Sequence, residues 1–150
     1  MARLLVIHHT VSPATHTLLR SVLDGAGDPT IEGVDVLERP ALVASAAEVL
    51  ESDGYLLGCP ANLGYMAGAM KHFFDTVYYP CLESTRRRPY GVYVHGNDDV
   101  TGALAGLEKI VAGLGWRIVQ PPVVVLGEPS AADRDRCWEL GASCAATLMA

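Results

Sequence analysis

The sequence predicts an α/β fold, a three-layer, doubly wound sheet of five parallel strands. Five short and mostly apolar runs read as strands that are buried on both faces of a parallel sheet. Apolar residues recur at helical spacing between these runs. Strands and helices therefore alternate along the chain, and this alternation indicates a parallel sheet with helices on both faces. The five runs are residues 4–7, 34–37, 55–57, 92–94 and 123–126.

Each predicted strand is followed by a predicted helix. In the third helix one face is apolar, and it is formed by Met66, Met70, Phe73, Phe74 and Val77. In the last helix Ser130 is the expected N-cap and Asp133 lies in the first turn. Right-handed crossovers then favour the strand order 2-1-3-4-5, in a single domain over residues 1–150. The predicted helices cover residues 14–24, 44–52, 66–77, 104–114 and 131–149.

Charge and hydropathy exclude several classes of partner. The formal net charge is −6, and the one basic run is Arg86–Arg88. A nucleic-acid partner is therefore not expected, because such proteins normally present a basic face. No stretch approaches the roughly 20 apolar residues of a membrane span, and the run 4–7 is too short for the core of a signal peptide. We expect a cytoplasmic protein without a membrane partner.

The cysteines and histidines do not form a recognisable metal set. None of the four cysteines belongs to a CxxC pair, so reduced thiols are expected. Cys137 and Cys144 would lie about 10 Å apart along a helix, beyond the roughly 7 Å reach of a disulfide. Residues 81–87 fit the C-x5-R pattern of cysteine phosphatases. However, they follow a helix and precede a strand, whereas the phosphatase reaction needs a strand, then the loop, then a helix. No metal site is predicted.

A ligand of such a sheet binds beyond the carboxyl ends of the strands, so the loops after the first, third and fourth strands are the candidates. The first loop, residues 10–17, has four hydroxyl side chains and no Lys or Arg. Backbone N–H groups and the helix dipole could hold a phosphate there without a cationic side chain. The alternative is that Thr10 or Ser12 simply caps the helix.

The second and third loops offer contacts for a flat ligand. Glycines in residues 58–68 let a ring approach the backbone, Asn62 could bond its edge, and Leu63 or Tyr65 could cover its face. The alternative is a turn into a helix whose Tyr and Met side chains belong to the core. The third loop is residues 95–99. The alternative to ligand binding there is that Asp98 or Asp99 is only the N-cap of the next helix.

Together these loops resemble those of the flavodoxin-like family, which includes flavodoxins and NAD(P)H-dependent FMN reductases. Residues 12–17, S-P-A-T-H-T, are similar in spacing to the phosphate loop S/T-x-T-G-N-T, and a second register that starts at Thr10 remains open. Residues 53–60 resemble the strand D-G-[apolar]-G-[ST]-P. Residues 62–75 resemble the helix entry Y-x-G-x-M-[SA]-G-x-[ML]-K-x-F-x-D, with Leu63 where the family often has an aromatic residue.

The resemblance runs from residue 4 to roughly residue 118 and implies a flavodoxin-like fold with non-covalently bound FMN. The phosphate would lie on the first loop and the isoalloxazine ring between the second and third. Asp98 would then disfavour the negatively charged reduced flavin, so Asp98→Asn should raise the two-electron potential. The implied cofactor-binding residues are Thr10, Ser12, Thr15, His16, Thr17, Pro60, Ala61, Asn62, Leu63, Gly64, Tyr65, His95, Gly96, Asn97 and Asp98.

Two functions follow from this resemblance. The favoured one is an FMN-dependent oxidoreductase that takes hydride from NAD(P)H as a transient donor, and the alternative is a flavodoxin-type electron carrier. A carrier usually has acidic clusters for steering, whereas only Asp98 and Asp99 are candidates here. Arg86–Arg88, expected on the same edge, could meet a cofactor phosphate or form a solvated loop.

No catalytic residue is assigned, since the chemistry belongs to the flavin. The family forms dimers and tetramers, so a homodimer through residues 78–80 is an open expectation.

Overall fold

The computed structural model describes all 150 residues, which form seven strands and five helices. The strands are β1 (Ala2–His8), β2 (Val34–Pro40), β3 (Gly54–Asn62), β4 (Tyr65–Met66), β5 (Pro89–Gly96), β6 (Arg117–Ile118) and β7 (Val123–Leu126). The helices are α1 (Pro13–Ala26), α2 (Ala46–Glu51), α3 (Gly68–Cys81), α4 (Thr101–Leu114) and α5 (Ala131–Ala146).

The central sheet is parallel and follows the predicted order. β2, β1, β3 and β5 lie side by side, and both β6 and β7 pair with β5 on its free side. β6 pairs with the start of β5 and β7 with its end, so the two are pieces of one edge strand. Residues 119–122 separate them and include Pro121 and Pro122, which have no N–H to donate to a strand ladder. Counted this way, the order 2-1-3-4-5 is confirmed.

Side chains of the strands alternate between two apolar layers. Leu5 and Ile7 of β1 point to a core shared with α2, α3 and α4. Leu4 and Val6, one residue out of phase, point to a second core that α1 and α5 cover. A strand with both faces buried needs apolar residues at every position, which explains the continuous apolar runs in the sequence.

Three helices begin with a serine N-cap, whereas the start of α3 differs from the prediction. Ser12, Ser45 and Ser130 each cap a helix in a reciprocal capping box, so the expected role of Ser130 is confirmed. Met66, expected on the helix face of residues 66–77, instead lies in β4, which pairs antiparallel with β3. It is nevertheless buried in the predicted core.

The three arginines before β5 lie at the wrong edge for a cofactor. They precede β5 and therefore lie at the amino end of the sheet, opposite the end where residues 95–99 emerge. Nη1 of Arg88 donates to the carbonyl oxygens of Val49, Leu50 and Ser52 at 3.2, 3.0 and 2.7 Å. A cation at the C-terminus of α2 stabilises that helix end. The expectation that this run shares an edge with Asp98 is therefore wrong.

The cysteines are separate and buried, and no group of three or more potential metal ligands is present. Burial raises the pKa of the Cys59 thiol to about 11 and those of Cys137 and Cys144 to about 12. None of the helices combines the length and hydrophobicity that crossing a bilayer would require.

The buried thiols predict a loss of stability in alkali. In the unfolded chain a thiol releases its proton near about pH 8.5, whereas these three retain theirs to higher pH when folded. The folded state then binds more protons, so the free energy of unfolding falls as pH rises, by about 1.4 kcal/mol per thiol per pH unit. Urea unfolding from about pH 8.5 to about pH 10.5 measures the slope. Cys137→Ala should make it shallower, and an identical slope in this variant would contradict the assignment.

Two buried tyrosines provide a contrast in hydrogen bonding. The ring of Tyr93 covers Gly58, where a Cβ would come within 2.0 Å of it, and its hydroxyl has no partner. The hydroxyl of Tyr55 donates to the Val49 carbonyl at 2.6 Å and accepts from Arg88 at 3.0 Å.

We therefore expect opposite results from removing the two hydroxyls. Tyr93→Phe should leave the free energy of unfolding within about 0.5 kcal/mol or increase it, because an unpartnered buried hydroxyl only adds a desolvation cost. Tyr55→Phe should lower it by about 1–3 kcal/mol. Urea denaturation of the two variants makes the comparison, and equal losses would show that the Tyr93 hydroxyl does have a partner in solution.

Candidate functional site

The main cleft opens at the carboxyl edge of the sheet and has a volume of about 590 Å³. Its walls come from the loops after β1, β3, β5 and β7, together with the first turns of α1 and α5. This is where a doubly wound sheet binds its ligands, and the volume suits a small-molecule site.

The loop after β1 is held closed by its own hydroxyl groups. Ser12 Oγ accepts the N–H of Thr15 at 3.1 Å. Thr15 Oγ1 in turn accepts the N–H groups of Val11 and Ser12 at 3.2 and 3.1 Å. Thr15 is buried and does not line the cleft. In the structure it shapes the loop and lies outside the cleft lining, so the structure does not support its predicted contact with a ligand.

The start of α1 presents an anion-binding end to the cleft. Pro13 has no N–H, and the next amide, that of Ala14, has no partner within the chain. Ser12, Ala14 and Thr17 line the cleft beside this positive end of the helix dipole. The hydroxyl of Thr17 donates to the Pro13 carbonyl at 3.0 Å and also lies within the cleft wall. Of the two registers open in the sequence, the cleft therefore favours the one with Ser12 and Thr17.

Thr10 and His16 lie on the other side of this loop. They do not line the main cleft but a shallower depression that adjoins it and shares Val11, Ser12 and Pro13 with it. Thr10 Oγ1 is 2.7 Å from Nδ1 of the buried His8, and His8 Nε2 is 2.7 Å from Glu38 Oε1. The Thr10 hydroxyl is thus engaged with the sheet. Thr10 and His16 therefore lie beside the predicted site without lining the main cleft.

The end of β3 supplies one long wall. Pro60, Ala61 and Asn62 line the cleft, as predicted. The chain then turns back at once, because Leu63 and Gly64 have φ values of +51° and +79° and join β3 to β4 in a two-residue hairpin. Positive φ at both central residues is typical of a type I′ turn.

This turn removes three predicted residues from the cleft. Leu63 projects fully into solvent at the hairpin tip, and neither Gly64 nor Tyr65 lines the cleft. A Cβ at Gly102 of α4 would lie 1.8 Å from the Gly64 carbonyl oxygen, and one at Gly106 would lie 2.5 Å from the Tyr65 ring. The hairpin therefore packs against two glycine notches of α4, and Tyr65 contacts α4 rather than covering a ligand.

The notch at Gly102 predicts a specific sensitivity. Gly102→Ala should lower the free energy of unfolding by about 1–3 kcal/mol, because the methyl group meets backbone that cannot rotate away. Gly68→Ala is the matched control, since nothing lies within 4 Å of a Cβ there. Urea denaturation compares the two. Amide hydrogen exchange at residues 62–66 should also be faster in the Gly102 variant alone, and unchanged exchange would contradict the packing.

The end of β5 supplies the opposite wall through His95, Gly96 and Asn97, all predicted. His95 Nε2 is 2.7 Å from the Gly127 carbonyl oxygen. A carbonyl can only accept, so Nε2 carries the proton and Nδ1 is the acceptor of the neutral ring. Asp98 is exposed and does not line the cleft, so the structure does not support its expected place beside a ligand. Asp99 instead accepts the N–H of Thr101 at 2.9 Å at the start of α4.

A fourth wall was not predicted. Gly127, Glu128 and Pro129, in the loop after β7, line the cleft together with Arg134 of α5. This loop follows a strand at the same edge as the others, so the rule that selected three loops applied to it as well. This wall brings the guanidinium of Arg134 to the cleft, whereas the sequence predicts a site without a cationic side chain.

Comparison with curated proteins finds two informative relatives, whereas no family model matches the chain. A flavodoxin from Aquifex aeolicus is 35% identical over 77 residues, which cover 51% of this chain and 40% of that protein. An NAD(P)H dehydrogenase (quinone) from Archaeoglobus fulgidus is 25% identical over an alignment of 153 positions, covering 87% of this chain and 78% of that protein. The first match thus spans less than half of the relative.

Solved structures match over nearly the whole chain. A flavodoxin of Streptococcus pneumoniae TIGR4 superimposes with a TM-score of 0.82 at 19% identity, covering 98% of this chain and 100% of that one. A flavodoxin from the domain Archaea gives 0.81 at 18% identity, with 97% of both chains covered. The chain therefore has the flavodoxin-like fold over almost all of its length.

Proposed function

We propose that this chain binds FMN non-covalently in the main cleft. The main support for this proposal is that the two ends of the cleft differ in their chemical character. One end offers an anion the free Ala14 amide at the positive end of α1, beside Ser12 and Thr17. The other lies between residues 60–62 and 95–97, whose backbone can lie against a flat ring.

The residues present fit the flavin ring as well as the phosphate. The backbone of residues 60–62 and 95–97 forms two facing walls of the cleft. Asn62, His95 and Asn97 add polar groups that can bond the ring edge. When bound, the flavin would supply hydride and single-electron chemistry. The chain itself would bind the phosphate, orient the ring and limit the access of water.

The hairpin tip favours an oxidoreductase over an electron carrier. Leu63 stands where the family often has an aromatic residue, and in this fold it points into solvent. Tyr65 packs on α4 instead of the cleft. Neither side chain covers the ring position, so a second flat molecule such as the nicotinamide of NAD(P)H has room to approach. We infer an NAD(P)H-dependent FMN oxidoreductase.

A flavodoxin-type carrier is the second candidate, because the Aquifex aeolicus relative and the solved structures above are flavodoxins. The two candidates differ in turnover. The FMN-loaded protein should oxidise NADH or NADPH faster than free FMN does if it is the oxidoreductase. A rate equal to that of free FMN would favour the carrier.

Flavin binding is tested by titrating the full chain with FMN, FAD and riboflavin and following absorbance and fluorescence. FMN should bind most tightly. Ala14→Asp places a carboxylate at the anion end and should weaken FMN binding at least about tenfold through like-charge repulsion. Ala47→Asp, which adds the same charge two residues after the N-cap of α2 and outside the cleft, is the control and should bind nearly as the wild type does. Absence of flavin binding by the wild type would contradict the proposal.

A further inference from the structure

We propose that Arg134 is the counter-charge for the FMN phosphate and that it sets the preference of the chain for FMN over riboflavin. This inference rests on the proposed function. It concerns a residue of α5, outside the three loops that carry the resemblance to flavodoxin-like proteins.

The fold brings Arg134 to the cleft that holds the start of α1. α1 and α5 cover the same face of the sheet and share one apolar core. Both helices begin at the carboxyl edge of the sheet, so both direct their positive ends toward that edge. Arg134, in the first turns of α5, lines the same cleft as Ser12, Ala14 and Thr17 of the α1 start.

The guanidinium of Arg134 has no competing partner of consequence. It forms no ion pair, and its one hydrogen bond is a long one of 3.4 Å to the Pro129 carbonyl. Arg136, two residues further on, behaves differently: Nη2 donates to Asp133 at 2.6 Å and to the Val124 carbonyl at 3.1 Å. Arg134 is therefore the arginine that can bind a ligand, while Arg136 braces the start of its own helix.

The first loop is short of donors, which is why an arginine is needed. Thr15 already accepts the N–H groups of Val11 and Ser12, and Ser12 accepts that of Thr15. Pro13 has none. The free backbone amides of residues 10–17 are those of Thr10 and Ala14, and of these two residues Ala14 lines the main cleft. A phosphate dianion needs several donors, and an arginine supplies two in a geometry that matches phosphate oxygens.

The other charged groups of the cleft also favour a role for Arg134 in binding the phosphate. Glu128 is the carboxylate among the lining residues and His95 is the imidazole. Without Arg134 the cleft would present Glu128 to a doubly charged phosphate with no guanidinium to oppose it. Arg134 offsets both negative groups.

The test compares Arg134→Gln with Arg136→Gln, which removes the same charge two residues away. Each full-length protein is titrated with FMN and with riboflavin, whose ring is identical but which has no phosphate. Arg134→Gln should weaken FMN binding about 10- to 100-fold, as expected for a lost charged hydrogen bond, and leave riboflavin binding unchanged. Arg136→Gln should leave the FMN to riboflavin affinity ratio unchanged. FMN affinity should also fall less steeply with added salt in Arg134→Gln than in the wild type.

The outcomes separate this inference from the proposed function. If the wild type binds FMN and Arg134→Gln binds it equally well, or loses FMN and riboflavin in equal proportion, the role of Arg134 is overturned and the FMN site stands. If the wild type binds neither flavin, the FMN site itself is overturned. Arg134→Lys keeps the charge without the paired donors and should recover only part of the FMN affinity.

Discussion

Helices that pack on both faces of β1, β3 and β5 impose the constraint on which the rest of the structure depends. Leu4 to Ile7 alternate between two cores and are all buried, so a polar side chain in the middle of these strands would lack a partner. Charged side chains of β1, β3 and β5 are therefore confined to the two ends of these strands. Because the strands are parallel, the four loops that leave their carboxyl ends converge on one edge, and the cleft forms there.

The strands themselves were predictable because burial on both faces leaves a plain signature in the sequence. The apolar runs at residues 55–57 and 92–94 fall within β3 and β5, and their carboxyl ends correctly predicted residues 60–62 and 95–97 as cleft walls. The sequence also indicates at which end of the sheet a loop lies, because a loop that precedes a strand lies at the amino end of that strand. Arg86–Arg88 precede β5, so this rule puts them at the amino end of the sheet, away from the cleft.

Other features depend on contacts that no local pattern records. Leu63 adopts a positive φ, which leucine rarely does, and the tight turn that results removes Leu63 and Tyr65 from the cleft. That turn is held by its fit against Gly102 and Gly106, more than 35 residues later in the chain. Arg134 likewise joins the site only because α5 packs against α1, and packing between helices that are distant in sequence is not visible in either helix alone.

The interrupted edge strand has a consequence for association between molecules. A sheet with an open edge is a template for strands from a neighbouring chain. Here one edge is divided into the short pieces β6 and β7 by Pro121 and Pro122, and the other, β2, carries charged residues and ends in Pro40. Neither edge offers a long, flat ladder of free amides. The molecule is thereby protected against growth into a shared sheet, and self-association of this chain would have to proceed through helix or loop surfaces.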